Sequence, residues 1–285
     1  MIKFFNWYGG KIRIVHKILP LVPYHVTEFY EPFMGSGAIT LNKRRESLEV
    51  LNDLDKNIAH LFKLMADSEK GKILLERLLN VEYSEEEFKV ARIETDSDFI
   101  NISDEFRKAE LTFILITQSF NSTRKNFRRG VSVEAYKTDL RYHLPKVYER
   151  LQGVIIKNMD GIDLIQDIKD NESTFVFCDP PYRKELRGAK DVYKCELSSE
   201  NQVRLLKTIA NSKCKIMLCG YRSGDGSDLY DKYLLPYGWK HYRIAELVKS
   251  CQYKKTKDIA EEWIWVNYEL PHCAKYFINL STSQL

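Results

Sequence analysis

Two consecutive prolines, Pro180 and Pro181, follow the apolar run Thr174–Cys178 with only Asp179 between. A short apolar run closed by a turn signal reads as a buried strand. Neither proline has an N–H to give to a neighbouring strand, so the chain must leave the sheet here. Any fold for this chain therefore contains a strand whose carboxyl end presents Asp179-Pro180-Pro181-Tyr182. The turn offers a carboxylate, a carbonyl with no competing N–H on the next residue, and an aromatic ring. Those groups suit an exocyclic amine on a base: two acceptors for its two hydrogens and a face for stacking. In isolation, an Asp-Pro pair is also a common rigid surface turn.

Similar apolar runs alternate with amphipathic helical patterns, which predicts an α/β fold with a largely parallel sheet. Strands are expected at Val26–Glu31, Glu49–Asn52, Val154–Lys157, Thr174–Cys178, Lys215–Cys219, Tyr242–Val248 and Trp263–Tyr268. Helices are expected at Ala38–Arg45, Lys56–Met65, Glu200–Ala210 and Ser227–Leu234. Residues 54–153 break the alternation, since a crossover with its helix needs little more than about 12 residues. An inserted subdomain must occupy part of that interval. Residues 71–120 look mainly helical, and the stretch from Phe120 to Lys137 reads as a loop or hairpin.

Composition narrows the class. The 285 residues are 44% hydrophobic and 29% charged, which excludes a disordered or collagen-like chain. No apolar run approaches a membrane span, and the start Met-Ile-Lys-Phe-Phe-Asn-Trp has no signal-peptide pattern, so a cytoplasmic protein without a membrane partner is expected. The six cysteines form no CxxC pair and the six histidines no HxxxH spacing, so no metal site is expected. The net charge of +4 says little about partners, but residues 121–150 hold eight cations against three carboxylates. Within that segment Asn121, Arg124, Lys125, Asn126, Arg128 and Arg129 form a cluster suited to phosphates and base edges, with Phe127 and Tyr136 available to stack. Considered alone, such a cluster is more often a solvated loop.

The first strand runs into Glu31-Pro32-Phe33-Met34-Gly35-Ser36-Gly37 and then a helical pattern. Glycines at a strand-to-helix turn let a ligand approach the backbone closely. A dinucleotide fingerprint would need glycine where Thr40 stands, and a P-loop lysine is missing, so the turn suits a ligand without pyrophosphate. Asp53, at the end of the second strand, is placed to accept hydrogen bonds from ribose hydroxyls. Near the start, Asn6-Trp7-Tyr8-Gly9-Gly10-Lys11 joins aromatic rings, a glycine pair and a cation.

In this order the segments resemble the Dam-type (D12 class) adenine-N6-specific DNA methyltransferases: NWYGGK, EPFMGSG, the acidic strand end in LNDLDKN, the insertion, then DPPY. The late stretch Lys254–Tyr268, a basic run followed by an acidic residue and a strand, also looks like the family's closing part. The resemblance implies a Rossmann-like S-adenosylmethionine-dependent methyltransferase fold with an inserted, mainly helical target-recognition domain. The catalytic domain would comprise residues 1–60 and 150–285, and residues 61–149 would be the DNA-binding insertion.

It further implies that Trp7 and Lys11 lie near the methionine portion of the cofactor and that Glu31, Pro32, Phe33, Gly35, Ser36 and Gly37 pass beneath it. Asp53 would hold its ribose, and Asp160 would lie near its adenine. Asp179, Pro180, Pro181 and Tyr182 would form the catalytic site, with Asp179 also close to S-adenosylmethionine. The Asp179 carboxylate and Pro180 carbonyl would accept the amino hydrogens of an adenine flipped from the duplex, and Tyr182 would stack on it.

Asn121, Arg124, Lys125, Asn126, Arg128 and Arg129 would contact double-stranded DNA, with Arg124, Asn126 and Arg128 the expected base readers. Val131–Tyr136 departs from the run that GATC-reading members carry, so no target sequence is assigned. A monomer is expected, with a cognate restriction endonuclease as partner if the chain serves restriction–modification. RNA methylation, methylation of a protein glutamine amide, and a catalytically silent DNA-binding module are the competing readings.

Overall fold

The computed structural model describes residues 1–186, 197–223, 228–248 and 259–278. In chain order the elements are α1 (Val15–Ile18), β1 (Glu28–Glu31), α2 (Ala38–Asn42), β2 (Leu48–Asn52), α3 (Lys56–Ala66), α4 (Lys70–Asn80), α5 (Glu85–Asp96) and α6 (Glu105–Thr117). Then follow α7 (Val133–Leu151), β3 (Ile155–Lys157), α8 (Gly161–Asp167), β4 (Thr174–Cys178), α9 (Ser199–Ile209), β5 (Lys215–Gly220), α10 (Leu229–Leu234), β6 (Lys240–Val248) and β7 (Ile259–Val266). Among the described residues the strands make one seven-stranded sheet, ordered β3-β2-β1-β4-β5-β7-β6. All the strands expected from the sequence are present, displaced at their ends by a few residues.

The chain divides into two compact units. The first comprises Met1–Arg13, Met34–Arg45 and Glu49–Asn158. Its core is aromatic at the centre: Phe4 packs edge-on to Phe62 of α3 at 5.1 Å and lies 5.9 Å from Phe113 of α6. Four helix starts here are set by side chains that accept the first free N–H groups. Asp55 caps α3, Ser84 caps α5, Asp104 caps α6 and Ser132 caps α7. Three glutamates in the first turn of α5 add favourable charge at its amino end.

The second unit comprises Ile14–Phe33, Glu46–Leu48 and Met159–Leu285. Here β1 and β4 pair in parallel, with Phe29 opposite Phe175 and Tyr30 opposite Val176. The turns that follow these two strands therefore leave the sheet at the same edge. In an open sheet of this order, the β1–β4 junction is where the winding reverses and ligands bind. Helix α9 buries Gln202, Leu205, Leu206 and Ile209, one stripe at helical spacing, in a core shared with Ile162, Leu234 and Trp265.

The sheet is largely parallel, as the alternation predicts: β1–β4, β2–β3 and β4–β5 pair in parallel, while β7 runs antiparallel to both β5 and β6. Two expectations are corrected. The stretch read as a loop or hairpin up to Lys137 is one only as far as Ser132. From Val133 onward it is the 19-residue helix α7. That helix buries Tyr136, Leu140, Leu144, Val147 and Leu151. At about 1.5–3 kcal/mol for each buried apolar side chain, this outweighs the cost of about 3 kcal/mol for Pro145 inside the helix. Phe127 and Tyr136, expected to be available for stacking, belong to this packing: both rings lie against Tyr83.

Candidate active site

The glycine turn is built in the first unit. Gly35 adopts φ +49°, and a Cβ placed on it would lie 2.7 Å from Trp7 Nε1, so the indole edge occupies the space a side chain would need. Gly37, at φ +63°, ends the turn and precedes α2. The Met34 N–H donates to Asn52 O at 2.9 Å, fastening the turn to the end of β2. Asp53 then accepts from the Gly35 N–H at 2.9 Å and from the Asp55 N–H at 2.9 Å, one on each carboxylate oxygen. Desolvation pushes its carboxyl up to about 6, against the lowering effect of the two N–H groups and of Arg124. Each oxygen keeps a second lone pair, so the group can still accept from a ligand. Lys11 is buried and its Nζ donates to Gly9 O at 3.0 Å, while Ser36 is buried within the turn.

The second unit carries the remaining expected residues. Glu31 and Pro32 are buried at the end of β1, and Phe33 packs so closely on Gly161 that a Cβ there would lie 2.6 Å from its Cε1. Asp160 caps α8 through Oδ1, accepting from Ile162 and Asp163 N–H at 2.8 and 3.1 Å, and Arg204 lies 3.7 Å away. All five residues of β4 are buried, and Asp179 emerges half-buried directly after them.

The Asp-Pro-Pro-Tyr turn is held from behind by two residues that the sequence reading did not single out. Gln202 Nε2 donates to Pro181 O at 2.8 Å, and Tyr230 OH in turn donates to Gln202 Oε1 at 2.7 Å. Tyr182 OH donates to the buried Glu262 Oε2 at 2.8 Å, and its ring meets Tyr221 edge-on at 4.7 Å. Burial and the charges of Asp179 and Glu262 keep Tyr182 a neutral phenol, its pKa far above the ordinary value. Cys178 is likewise pushed up by burial and the Asp179 charge, so it is no thiolate nucleophile. A signal for both missed residues exists: Gln202 sits on the apolar stripe of α9, and Glu262 at an inward position of the alternating strand β7.

The basic loop is closed by one antiparallel bridge between Ser119 and Phe127. Asn121, Lys125, Asn126, Arg128 and Arg129 are exposed. Arg129 pairs with Glu85 at 2.9 Å with most of its side chain in solvent, a contact that water and salt screen. Arg124 differs: its guanidinium bonds Asp55 Oδ2 at 2.6 Å and stacks 4.7 Å from the centre of the Trp7 ring. The late stretch from Lys254 is described only from Ile259 onward, and Cys195, Cys251 and Ser227 also lie outside the described residues. No three His, Cys, Asp or Glu side chains among the described residues converge as a metal site.

The sheet order, the glycine turn after β1 and the Asp-Pro-Pro-Tyr turn after β4 together define a Rossmann-like methyltransferase directed at an amino group. The sequence of the D12 class of N6 adenine-specific DNA methyltransferases matches residues 7–249, and the chain belongs to that family. It is 24% identical over 245 residues to the type II methyltransferase M.CviBI of Paramecium bursaria Chlorella virus NC1A, covering 84% of this chain and 90% of that one. It is 27% identical to the type II methyltransferase M1.LlaDCHI of Lactococcus lactis subsp. cremoris, covering 80% of this chain and 84% of the relative. The DNA adenine methylase of Haemophilus influenzae is 25% identical over 188 residues, 63% of each chain. The enzyme is thus an adenine-specific DNA methyltransferase, whose reaction requires a methyl donor and DNA.

Proposed function

We propose that the methyl donor is S-adenosylmethionine and that the chain methylates N6 of an adenine flipped out of duplex DNA within one sequence context. The observation that carries the donor assignment is the Asp53 carboxylate, fastened by the Gly35 and Asp55 N–H groups beside a buried glycine turn. The residues fit the group: Asp53 retains acceptor capacity for ribose hydroxyls, at the end of a turn whose glycines let the backbone close against Trp7 and Phe62. Trp7, Lys11, Glu31, Pro32, Phe33, Gly35, Ser36, Gly37, Asp53, Asp160 and Asp179 would hold it. When bound, the sulfonium supplies an already activated methyl.

The chain's own residues do the rest. An adenine amino group is a poor nucleophile because its lone pair is delocalised into the ring. Acceptance of its two hydrogens by the Asp179 carboxylate and the Pro180 carbonyl favours a pyramidal nitrogen and stabilises the positive charge that develops there. Pro181 completes the rigid turn, and Tyr182 supplies a face for the extruded base. The exposed set Asn121, Lys125, Asn126, Arg128 and Arg129 supplies phosphate and base contacts on the recognition insertion, residues 61–149, with residues 1–60 and 150–285 as the catalytic domain. The relatives' description as type II methyltransferases supports a place beside a cognate restriction endonuclease. We further infer a monomer that works in the cytoplasm. No helix among the described residues is long and apolar enough to cross a membrane.

The test is transfer of labelled methyl from S-adenosylmethionine to unmethylated duplex DNA, with modified bases mapped by single-molecule sequencing. N6-methyladenine in one context is the expected result. Incorporation into RNA or protein but not DNA would sink the duplex assignment.

Donor binding should also depend on pH. Ribose hydroxyls bind the ionised form of Asp53, so affinity falls as pH drops through about 6. At pH 5 binding should be about tenfold weaker than at pH 7.5, and Asp53→Asn should flatten the profile. Folding responds with the opposite sign: the folded carboxyl holds its proton above the ordinary 3.8, so this group's contribution to stability is greatest below that value and lost as pH rises to about 6. Calorimetric titration with S-adenosylhomocysteine from pH 5 to 8 checks the first claim; a flat wild-type profile would refute it.

A further inference from the structure

The inward course of Arg124 has no part in the chemistry above. Its side chain is 16% exposed, in a loop whose other cations stand in solvent, and its partner Asp55 is 5% exposed. Asp55 Oδ2 takes the guanidinium, while Oδ1 accepts the Asn57 N–H at 3.0 Å and caps α3. The guanidinium also lies over Trp7, 4.7 Å from the ring centre, a cation–π stack. The loop is bent to make this reach: Asn121, Ser122 and Arg124 adopt φ of 52°, 53° and 62°. Residues other than glycine hold that conformation when their surroundings impose it. Here the restraints are the Arg124 N–H to Ser119 Oγ at 3.0 Å, the Phe120 N–H to Asn126 O at 2.8 Å, and the buried ion pair itself.

Two contact paths lead from Arg124 to Asp53, all within the first unit. One passes through Trp7, whose indole edge fills the space above Gly35, and then through the Gly35 N–H to Asp53 Oδ2. The other passes through Asp55, whose own N–H donates to Asp53 Oδ1. We propose that Arg124 is a positioning residue of the methyl-donor pocket: clamped between Asp55 and Trp7, it fixes the tryptophan over the glycine turn and ties the recognition loop to donor binding. This rests on the reading of Gly35 and Asp53 as the donor turn and deepens it. By linkage, whatever draws the loop toward DNA changes donor affinity, and the donor changes DNA affinity by the same factor. The basic cluster predicts Arg124 as a base reader; its placement between Asp55 and Trp7 puts it on the donor side.

The test uses the whole protein without DNA. S-adenosylhomocysteine is titrated calorimetrically into wild type, Arg124→Ala, Arg124→Lys and, as control, Lys89→Ala, an exposed cation on α5. In parallel, 5-fluorotryptophan is incorporated at the four tryptophans and the Trp7 resonance assigned with Trp7→Phe. Arg124→Ala should bind about tenfold more weakly and move the Trp7 resonance. Arg124→Lys should recover part of the affinity, because it keeps the charge facing Asp55 but not the flat stack. Lys89→Ala should change neither. Unchanged affinity and an unmoved Trp7 signal in Arg124→Ala, together with an altered methylation context, would overturn the proposal in favour of base reading. Failure of the wild type to bind S-adenosylhomocysteine would overturn the donor reading and this proposal with it, an outcome visible before any variant is compared.

Discussion

Asp179→Ala is expected to lower single-turnover methyl transfer to duplex DNA by about a thousandfold at saturating donor, the scale seen when one preorganised charge-stabilising group is removed. The carboxylate sits on a turn secured independently of it. Gln202 holds the Pro181 carbonyl at 2.8 Å, Glu262 holds the Tyr182 hydroxyl at 2.8 Å, and both anchors lie on buried positions. Removing the Asp179 side chain therefore takes away an acceptor without releasing the backbone around it. DNA binding should persist, since the exposed cations of the recognition loop are untouched. With 2-aminopurine at the target position, fluorescence should still rise as the base leaves the stack, separating lost chemistry from lost extrusion. Asp179→Asn should be less impaired than Asp179→Ala, because its Oδ1 still accepts one amino hydrogen while the stabilising negative charge is lost. A variant rate within about tenfold of wild type would refute the role assigned to this carboxylate.

The second large effect is expected at the glycine turn. Gly35→Ala should weaken donor binding about a hundredfold, the consequence of displacing a positioning wall by about 1 Å. Its φ of +49° is a conformation that costs an L residue about 1–2 kcal/mol, and the added Cβ would meet Trp7 Nε1 at 2.7 Å. The indole must move, and the Gly35 N–H that holds Asp53 moves with it. Gly238→Ala isolates the first of these terms: its φ is +83° and nothing lies within 4 Å of the added carbon. That control should lose a similar amount of stability in a denaturant titration while binding S-adenosylhomocysteine normally. Equal affinities for the two variants would mean that Trp7 does not wall the pocket.

Much of this site was legible in the chain because its signals are local. Proline cannot enter a central strand, so the end of β4 and the exposure of Asp179 follow from Pro180 and Pro181 alone. Glycine at Gly35 and Gly37 announces backbone conformations that the structure then shows. The helix α7 was hidden by opposite local signals: Val-Ser-Val suggests a strand and Pro145 a break, although residues 133, 136, 140, 144, 147 and 151 already keep helical spacing. The charges along the stretch mask its apolar stripe. Phe127 is ambiguous for the same reason, since a ring among cations looks like a stacking surface, and only the tertiary contacts with Tyr83 and Phe88 show the core that claims it.

What the chain determined by itself is the set of elements, the two turns that carry the chemistry and the family that joins them, because each rests on steric rules confined to a few neighbouring residues. Tertiary structure alone decided which partners those residues receive. Tyr182 meets a carboxylate 80 residues away, Arg124 one 69 residues away, and Arg124 is drawn inward while its neighbours stay in water. The rise of Asp53 to about 6 belongs to the same class, since it comes from desolvation that exists only once the surrounding chain has closed around it. Local sequence sets what a backbone can do; the identity and dielectric of long-range neighbours set what a charged side chain does there.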